Sequence, residues 1–271
     1  MKLVTFNVNG IRAAERRGFR PWLDSTQPDV LALQEVRCPV DQIPPDVFSG
    51  YHLAYDPGQL AGRNGVALLS RIEPSDIRIG LGNDEEFANE GRYIEADYDI
   101  DSTPITVASL YLPKGAVPQD SEAAKAKFER KMRFCAVLEN HLKTSIDKAT
   151  SSGRAYTCLG DYNIARTPQD LYNNKSKKPL DGYLPEERQW LTQALDLGIV
   201  DVVRTLHPDE QGPYSWWSWR GGSWDKGYGW RIDYHLSTPD LATRAVFGNT
   251  DRPATYESRV SDHAAVVVEY R

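Results

Sequence analysis

Ala155-Tyr156-Thr157-Cys158-Leu159-Gly160-Asp161-Tyr162-Asn163 is an apolar run that ends in a carboxylate and an amide. It reads as a buried strand whose last side chains emerge at the end of a sheet. The same arrangement recurs along the chain. Val30-Leu31-Ala32-Leu33 leads into Gln34-Glu35, and Leu3-Val4-Thr5-Phe6 leads into Asn7-Val8-Asn9-Gly10. Near the C-terminus, Asp233 in Trp230-Arg231-Ile232-Asp233-Tyr234 and the pair Asp262-His263 after Ser261 each sit at the mouth of an apolar run. Five strand ends, far apart in sequence, thus present acidic, amide or imidazole groups. A hard-metal hydrolytic site is assembled from such pieces.

Working outward, strand-like runs occupy residues 2–8, 29–35, 65–71, 92–100 and 104–112. Arg63-Asn64-Gly65 marks a tight turn before Val66, and residues 94–100 alternate as a strand with one wet face does. Later strands are expected over 199–206, 214–219, 231–237, 245–247 and 264–270. One long helix is expected from about Asp120 to Asp147. Phe128, Met132, Cys135, Leu138, Leu142 and Ile146 recur there at three- and four-residue steps, Asp120 or Ser121 serves as cap, and the basic residues fall largely off the stripe. A second helix is expected from Pro185 or Glu186 to Leu197, stopped by Gly198. Strands dominate and no linker interrupts them, so the expectation is one α+β domain over residues 1–271. The polar loop 166–184 is long for a passive connection.

The chain has 271 residues, 40% of them apolar and 26% charged, a globular composition. No window approaches the apolar length of a membrane span, and the residues after Met1 do not read as a secretory signal; a cytoplasmic location is the expectation. The three cysteines, Cys38, Cys135 and Cys158, have no paired spacing and read as reduced space-fillers. A net charge of −6 does not advertise a polyanion partner. The positive charge is nevertheless clustered: Arg12, Arg16, Arg17 and Arg20; then Lys125, Lys127, Arg130, Lys131 and Arg133; then Lys175, Lys177 and Lys178.

Glu35, Asp161, Asn163 and Asp262 supply the oxygen donors that Mg²⁺ or Mn²⁺ prefers. An Asp233–His263 pair would fix the imidazole tautomer and raise the basicity of its free nitrogen. Ser261, Asp262 and His263 do not form a serine-hydrolase triad, because adjacent residues point apart and there is no nucleophile elbow. Trp216, Trp217, Trp219, Trp224 and Trp230 fall close together, interleaved with Arg220, Lys226 and Arg231. Aromatic faces beside cations suit the uptake of a sugar or base and its phosphates. On strand geometry Trp217 and Trp219 share one face and Trp216 takes the other.

Asn7-Val8-Asn9-Gly10-Ile11-Arg12, Leu33-Gln34-Glu35, Gly65–Ser70, Glu90-Gly91-Arg92, Gly160-Asp161-Tyr162-Asn163-Ile164, Tyr214-Ser215-Trp216-Trp217, Trp230-Arg231-Ile232-Asp233-Tyr234 and Ser261-Asp262-His263 occur in this order. In this the chain resembles the exonuclease III family of apurinic/apyrimidinic (AP) endonucleases, within the endonuclease/exonuclease/phosphatase group. The likeness runs from the first strand to the last. It implies a four-layer α/β sandwich, two mostly antiparallel sheets packed face to face with helices outside, and a metal-dependent nuclease. Such an enzyme cuts 5′ to an abasic site and leaves a 3′-hydroxyl and a 5′-phosphate, with 3′–5′ exonuclease and 3′-phosphatase side activities.

The resemblance also implies roles. Glu35 is the principal ligand of Mg²⁺ (or Mn²⁺), with Asn9 and Asp262 close by and Asp161 and Asn163 adjacent; the family often has Asp where Asn9 stands. Asp161 orients or deprotonates the attacking water. Asn163 and Asn7 hold it and the phosphate, His263 braced by Asp233 binds a phosphate oxygen, and Tyr111 serves the phosphate or leaving group. Trp216, Trp230 and Ile232 form the pocket for a base-less sugar. Arg12, Arg92, Lys114, Arg220 and Lys226 are expected at the DNA. The partner implied is double-stranded DNA with abasic sites or damaged 3′ ends, met by a monomer without a membrane. Two other readings fit the shared elements: a phosphodiesterase of this architecture acting on a phospholipid or other phosphate ester, and a non-catalytic nucleic-acid-binding relative.

Overall fold

The computed structural model describes residues 1–60, 62–82, 84–172 and 178–271. Lys175 and Lys177 of the third basic cluster lie outside the described residues. One sheet contains β1 (Lys2–Asn7), β2 (Val30–Gln34), β3 (His52–Asp56), β4 (Val66–Ser70), β11 (Ala245–Asp251) and β12 (Ala265–Tyr270), in the order β11-β12-β1-β2-β4-β3. The other contains β5 (Asp76–Ile79), β6 (Tyr93–Ile100), β7 (Thr103–Tyr111), β8 (Ala155–Asp161), β9 (Val200–Asp201) and β10 (Asp233–Ser237), in the order β5-β6-β7-β8-β10-β9. Each sheet has one parallel pair, β1 with β2 and β7 with β8; the remaining pairs are antiparallel.

Side-chain alternation sorts the apolar residues into layers. Leu3, Val30, Ala32 and Leu68 meet Ile94, Ala96, Val107 and Leu159 between the sheets. On the outer face of the first sheet, Val4, Phe6, Leu31 and Leu33 pack against Ile11 and Ala14 of α1 (Ile11–Arg16) and Phe19 and Leu23 of α2 (Phe19–Thr26). On the outer face of the second, Ala108, Tyr156, Cys158 and Leu236 pack against α3 (Glu122–Ser151) and α4 (Pro185–Leu195). Strands covered on both faces read as continuous apolar runs, which is why β2, β4, β8 and β10 are buried at every position. The four-layer sandwich expected from the resemblance is the observed architecture.

The long helix begins later and runs further than expected, capped by the Ser121 side chain accepting from the Ala124 amide. Its buried positions include Lys131, so the stripe is not free of basic residues. Two expected strands are corrected. Residues 199–206 form only the two-residue β9 before the chain turns into α5 (Val202–Leu206), because the Asp201 carboxylate caps that helix through the Arg204 amide. Residues 214–219 form no strand. The amides of Ser215 and Trp216 both donate to the Trp230 carbonyl, at 2.8 and 2.9 Å, and this doubling breaks a regular ladder. The face argument for Trp217 and Trp219 therefore lapses: Trp217 is buried and Trp219 half-buried.

A buried charge network anchors this irregular half of the chain. Arg231 is 1% exposed and donates to Asp170 at 2.6 Å and to Asp201 at 3.0 and 2.7 Å. Arg204 donates to the same Asp170 oxygen at 2.7 Å. Burial alone would raise the Asp170 pKa, but the two guanidinium groups hold it down at about 2. Replacing Arg231 by Met leaves Asp170 and Asp201 undercompensated inside the protein. We expect Arg231→Met to lose about 3–5 kcal/mol of stability, seen as a lower midpoint in urea unfolding.

Candidate active site

The strand directions deliver the polar ends to one place. β1 and β2 run parallel, so Asn7 and Gln34 are register partners and Glu35 follows directly. β7 and β8 run parallel, so Tyr111 pairs with Asp161, and antiparallel β10 begins with Asp233 opposite the same Asp161. β12 starts just after His263, on the other side of β1. Gly160 lets β8 lie tightly against β7: a Cβ there would stand 2.0 Å from the Leu110 carbonyl oxygen. Asn9, Glu35, Arg37 and Asn163 all have left-handed backbones, with φ of 46°, 51°, 51° and 48°. Such conformations cost about 1–3 kcal/mol each and cluster where a side chain must be aimed.

One oxygen each of Glu35 and Asp161 and one nitrogen of His263 lie within 4.8 Å of one another. The Asn7 amide nitrogen donates to both carboxylates, at 2.9 Å to each. Asp161 also accepts from the Asn163 backbone at 2.8 Å, while the Asn163 side chain donates to the Leu112 carbonyl at 2.9 Å. His263 Nδ1 lies 2.9 Å from Asp233, which also accepts from Ser215 Oγ at 2.6 Å. His263 Nε2 is 3.7 Å from Asp161. Asp262 accepts from Asn9 at 2.8 Å and from the Trp216 indole at 3.1 Å.

These groups open onto a cavity of about 450 Å³. Trp216, Trp230, Ile232 and Leu180 give it an apolar wall, and Tyr111, Lys114, Asn163, Asp181 and Asp262 add polar groups. Trp216 and Trp230 meet edge to face, their centroids 6.3 Å apart.

Burial pushes the Asp161 carboxyl up; the His263 charge opposes this, Asp233 and Glu35 reinforce it, and the balance lies at about 7. Burial pulls the His263 imidazole down, but the Asp233 and Asp161 carboxylates override it and hold it up at about 10. For Asp262, burial raises the pKa, but His263 and the bonds from Asn9 and Trp216 leave it below its ordinary value. Tyr111 is raised by burial and by the charges of Glu35 and Asp161, so it stays protonated.

The expected site residues Asn7, Asn9, Glu35, Tyr111, Asp161, Asn163, Asp233, Asp262 and His263 are brought together, with Trp216, Trp230, Ile232 and Lys114 around the cavity. The other four expected DNA contacts stand apart from it. Arg12 donates to Gln42 on the surface, Arg220 and Lys226 lie on an exposed turn, and Arg92 pairs with Glu90 and covers the Tyr111 ring at 4.8 Å. The sequence reading missed Arg37, whose guanidinium donates to Asn9 Oδ1 at 2.7 Å and pairs with Glu35. It also missed Ser215, and within loop 166–184, marked as too long for a passive connection, it did not single out Leu180, Asp181 and Gly182, which line the cavity. Arg37 stands two residues after Glu35, and the left-handed backbone of both aims the two side chains at each other.

The Glu35 and Asp161 carboxylate oxygens lie close enough to share a hard divalent cation, while His263, held protonated, stands beside them as a hydrogen-bond donor and not as a ligand. The Asn9 side of the expected ligand set is engaged by Arg37 and Asp262, so a cation bound there must displace those bonds. Among the described residues, no helix is long and apolar enough to cross a membrane.

The model of the Endonuclease/Exonuclease/phosphatase family matches residues 4–263. The chain is 33% identical to exodeoxyribonuclease III of Haemophilus influenzae over 279 aligned positions, covering all of both chains. It superimposes on an AP endonuclease from Archaeoglobus fulgidus with a TM-score of 0.84 at 33% identity, covering 100% of this chain and 99% of the other. A 3′-5′ exonuclease from Neisseria meningitidis gives a TM-score of 0.84 at 31% identity, with the same coverage.

Both raised groups shape stability in the same direction. The contribution of Asp161 is present below its ordinary value and lost as pH rises through about 7; that of His263 is present below 6.5 and lost as pH approaches about 10. A divalent cation must displace the proton on Asp161, so its stabilising effect grows with pH. At a hundredfold excess over Kd, Mg²⁺ or Mn²⁺ should stabilise the protein by about 2.7 kcal/mol. Calorimetry should show a larger rise in Tm at pH 8 than at pH 5.5, and almost none in Glu35→Gln.

Proposed function

The chain belongs to the endonuclease/exonuclease/phosphatase family, and from that premise we propose that it is a DNA-repair phosphodiesterase of the exonuclease III type. It acts on double-stranded DNA, cutting 5′ to abasic sites to leave a 3′-hydroxyl and a 5′-phosphate, and it also trims damaged 3′ ends. The observation that carries this reading is the meeting of Glu35, Asp161 and His263 within 4.8 Å beside a cavity walled by Trp216, Trp230 and Ile232.

Glu35 and Asp161, with Asn9 and Asp262 alongside, would hold Mg²⁺, or Mn²⁺ in its place. When bound, that ion supplies charge neutralisation of the phosphate and of the departing 3′-oxygen. The protein's own groups do the rest. Asp161 accepts the proton of the attacking water. Asn7 and Asn163 keep that carboxylate oriented by the bonds described above. His263, held positive by Asp233, donates to a non-bridging phosphate oxygen as charge accumulates there. Tyr111, still protonated, donates to the phosphate or the leaving oxygen. Lys114 holds a flanking phosphate.

Substrate choice follows from the cavity. A sugar without its base stacks poorly and is extruded from the duplex at lower cost than an intact nucleotide. The indoles of Trp216 and Trp230 and the Ile232 side chain leave an apolar slot for the deoxyribose, and the Trp216 indole is itself fixed by its bond to Asp262. Selection is thus steric and mechanical, with no readout of base edges.

The deciding experiment is digestion of a synthetic abasic duplex beside recessed, blunt and 3′-phosphate ends, with and without chelator. Cleavage 5′ to the abasic site that chelator abolishes is the expected result; an intact abasic duplex in the presence of Mg²⁺ and Mn²⁺ refutes the assignment. Asp161→Asn and His263→Ala should each lose about a hundredfold or more in kcat while retaining DNA affinity, measured by single-turnover cleavage and by fluorescence anisotropy.

A further inference from the structure

Lys131 lies in the N-terminal third of α3 with its side chain fully buried, an uncommon place for an ammonium group. Its Nζ donates to Glu187 Oε1 of α4 at 2.6 Å and to the backbone carbonyl oxygen of Asn163 at 2.9 Å. The Glu187 side chain is also fully buried, and its second oxygen accepts from the Leu184 amide at 2.9 Å, closing the first turn of α4. Gly115 provides the room. A Cβ there would meet Asp181 Oδ1 at 2.8 Å, the Lys131 stem at 3.0 Å and Glu187 at 3.2 Å.

A buried ion pair of this kind is rarely a net source of stability, since desolvation opposes the attraction. The geometry gives it another use. Asn163 has a left-handed backbone at φ 48°, and its amide and side chain both bond to Asp161. The direction of its carbonyl therefore fixes the turn that aims the Asp161 carboxylate. On its other side that carbonyl is crowded by Gly182, where a Cβ would stand 2.9 Å away.

We propose that Lys131 is a positioning residue for catalysis: its ammonium clamps the Asn163 carbonyl, holds the left-handed Asn163 backbone in place, and so keeps Asp161 at the angle the attacking water needs. Lys131 touches neither substrate nor reacting atoms. The clamp is rigid because both helices that supply it are docked on the sheet carrying β8, with the Trp190 indole of α4 donating to the Cys135 carbonyl of α3 at 3.0 Å. Pre-orientation of this type acts on the chemical step and leaves the sugar pocket and phosphate contacts as they are.

The inference rests on the phosphodiesterase reading of the site. Wild-type cleavage of the abasic duplex tests that reading; only the ratio of variant to wild type tests this one. The variant is Lys131→Met with Glu187→Leu, which removes both charges and replaces the pair by apolar groups of similar size, a change that buried ion pairs often tolerate. With Mg²⁺ and abasic duplex, kcat should fall about tenfold or more, while KM stays within about twofold and Tm stays close to wild type. If that protein does not fold, Lys131→Met with Glu187→Gln keeps an acceptor for the Leu184 amide and is expected to show the same split. A folded variant of either kind with kcat within about twofold of wild type overturns the proposal. Glu187→Gln alone keeps the ammonium and its bond to Asn163, so its kcat should stay near wild type. A loss in Glu187→Gln as large as in the double variants would assign the effect to helix docking and also overturn it.

Discussion

The buried Asn7 amide nitrogen bridges the two sheets at the site. Asn7 ends β1 in one sheet and donates both to Glu35, which follows β2 in the same sheet, and to Asp161, which ends β8 in the other. Two carboxylates that close repel each other strongly in a buried setting. A fully buried donor between them lowers that cost and fixes their separation. Polar bonds a little deeper hold the same alignment: Gln34 donates to Ser109 across the sheets at 3.0 Å, and Ser109 donates back to the Leu33 carbonyl at 2.9 Å. The sheets therefore cannot slide without breaking buried hydrogen bonds, and the acidic site inherits that rigidity.

Around this bridge Glu35, Asp161, Asp233 and Asp262 each face a partner. Arg37 attends Glu35, His263 stands beside Asp161, Ser215 and His263 share Asp233, and Asn9 and Trp216 attend Asp262. The cluster is poised between repulsion and neutralisation, a state in which a bound cation gains the most from entering. Asp161 sits at the centre of the cluster, oriented by Asn7 and by the Asn163 amide.

The aromatic wall depends on the chain failing to form a regular strand. Trp216 makes isolated bridges to Trp230 and to His263. These bridges connect the two sides of the cavity, the sugar-sized slot and the imidazole, through one residue. The Arg231 network beneath them, with Asp170, Asp201 and Arg204, ties these loops to β9 and α5. Charge buried far from the reacting atoms thus supports the shape of the apolar wall.

The sequence by itself determined the strands whose apolar runs are covered on both faces, the long helix, and the chemistry of the residues waiting at the strand ends. Burial and side-chain period are local properties, and oxygen donors announce their preference for hard cations without any fold. Asp161 and Glu35 were legible for that reason. The sequence misled where a local pattern admitted two outcomes: Ile199–Leu206 has the apolar density of a strand, yet the Asp201 side chain caps a helix, and Tyr214–Trp219 alternates, yet two amides compete for one carbonyl. Only the tertiary structure decided that Lys131 is buried, that Arg37 reaches Asn9 and Glu35, and that Arg231 belongs to an interior network rather than to a phosphate. Those outcomes are set by which distant partner desolvates each charge, and partner choice over long sequence separations is a property of the packed chain, invisible in the order of its residues.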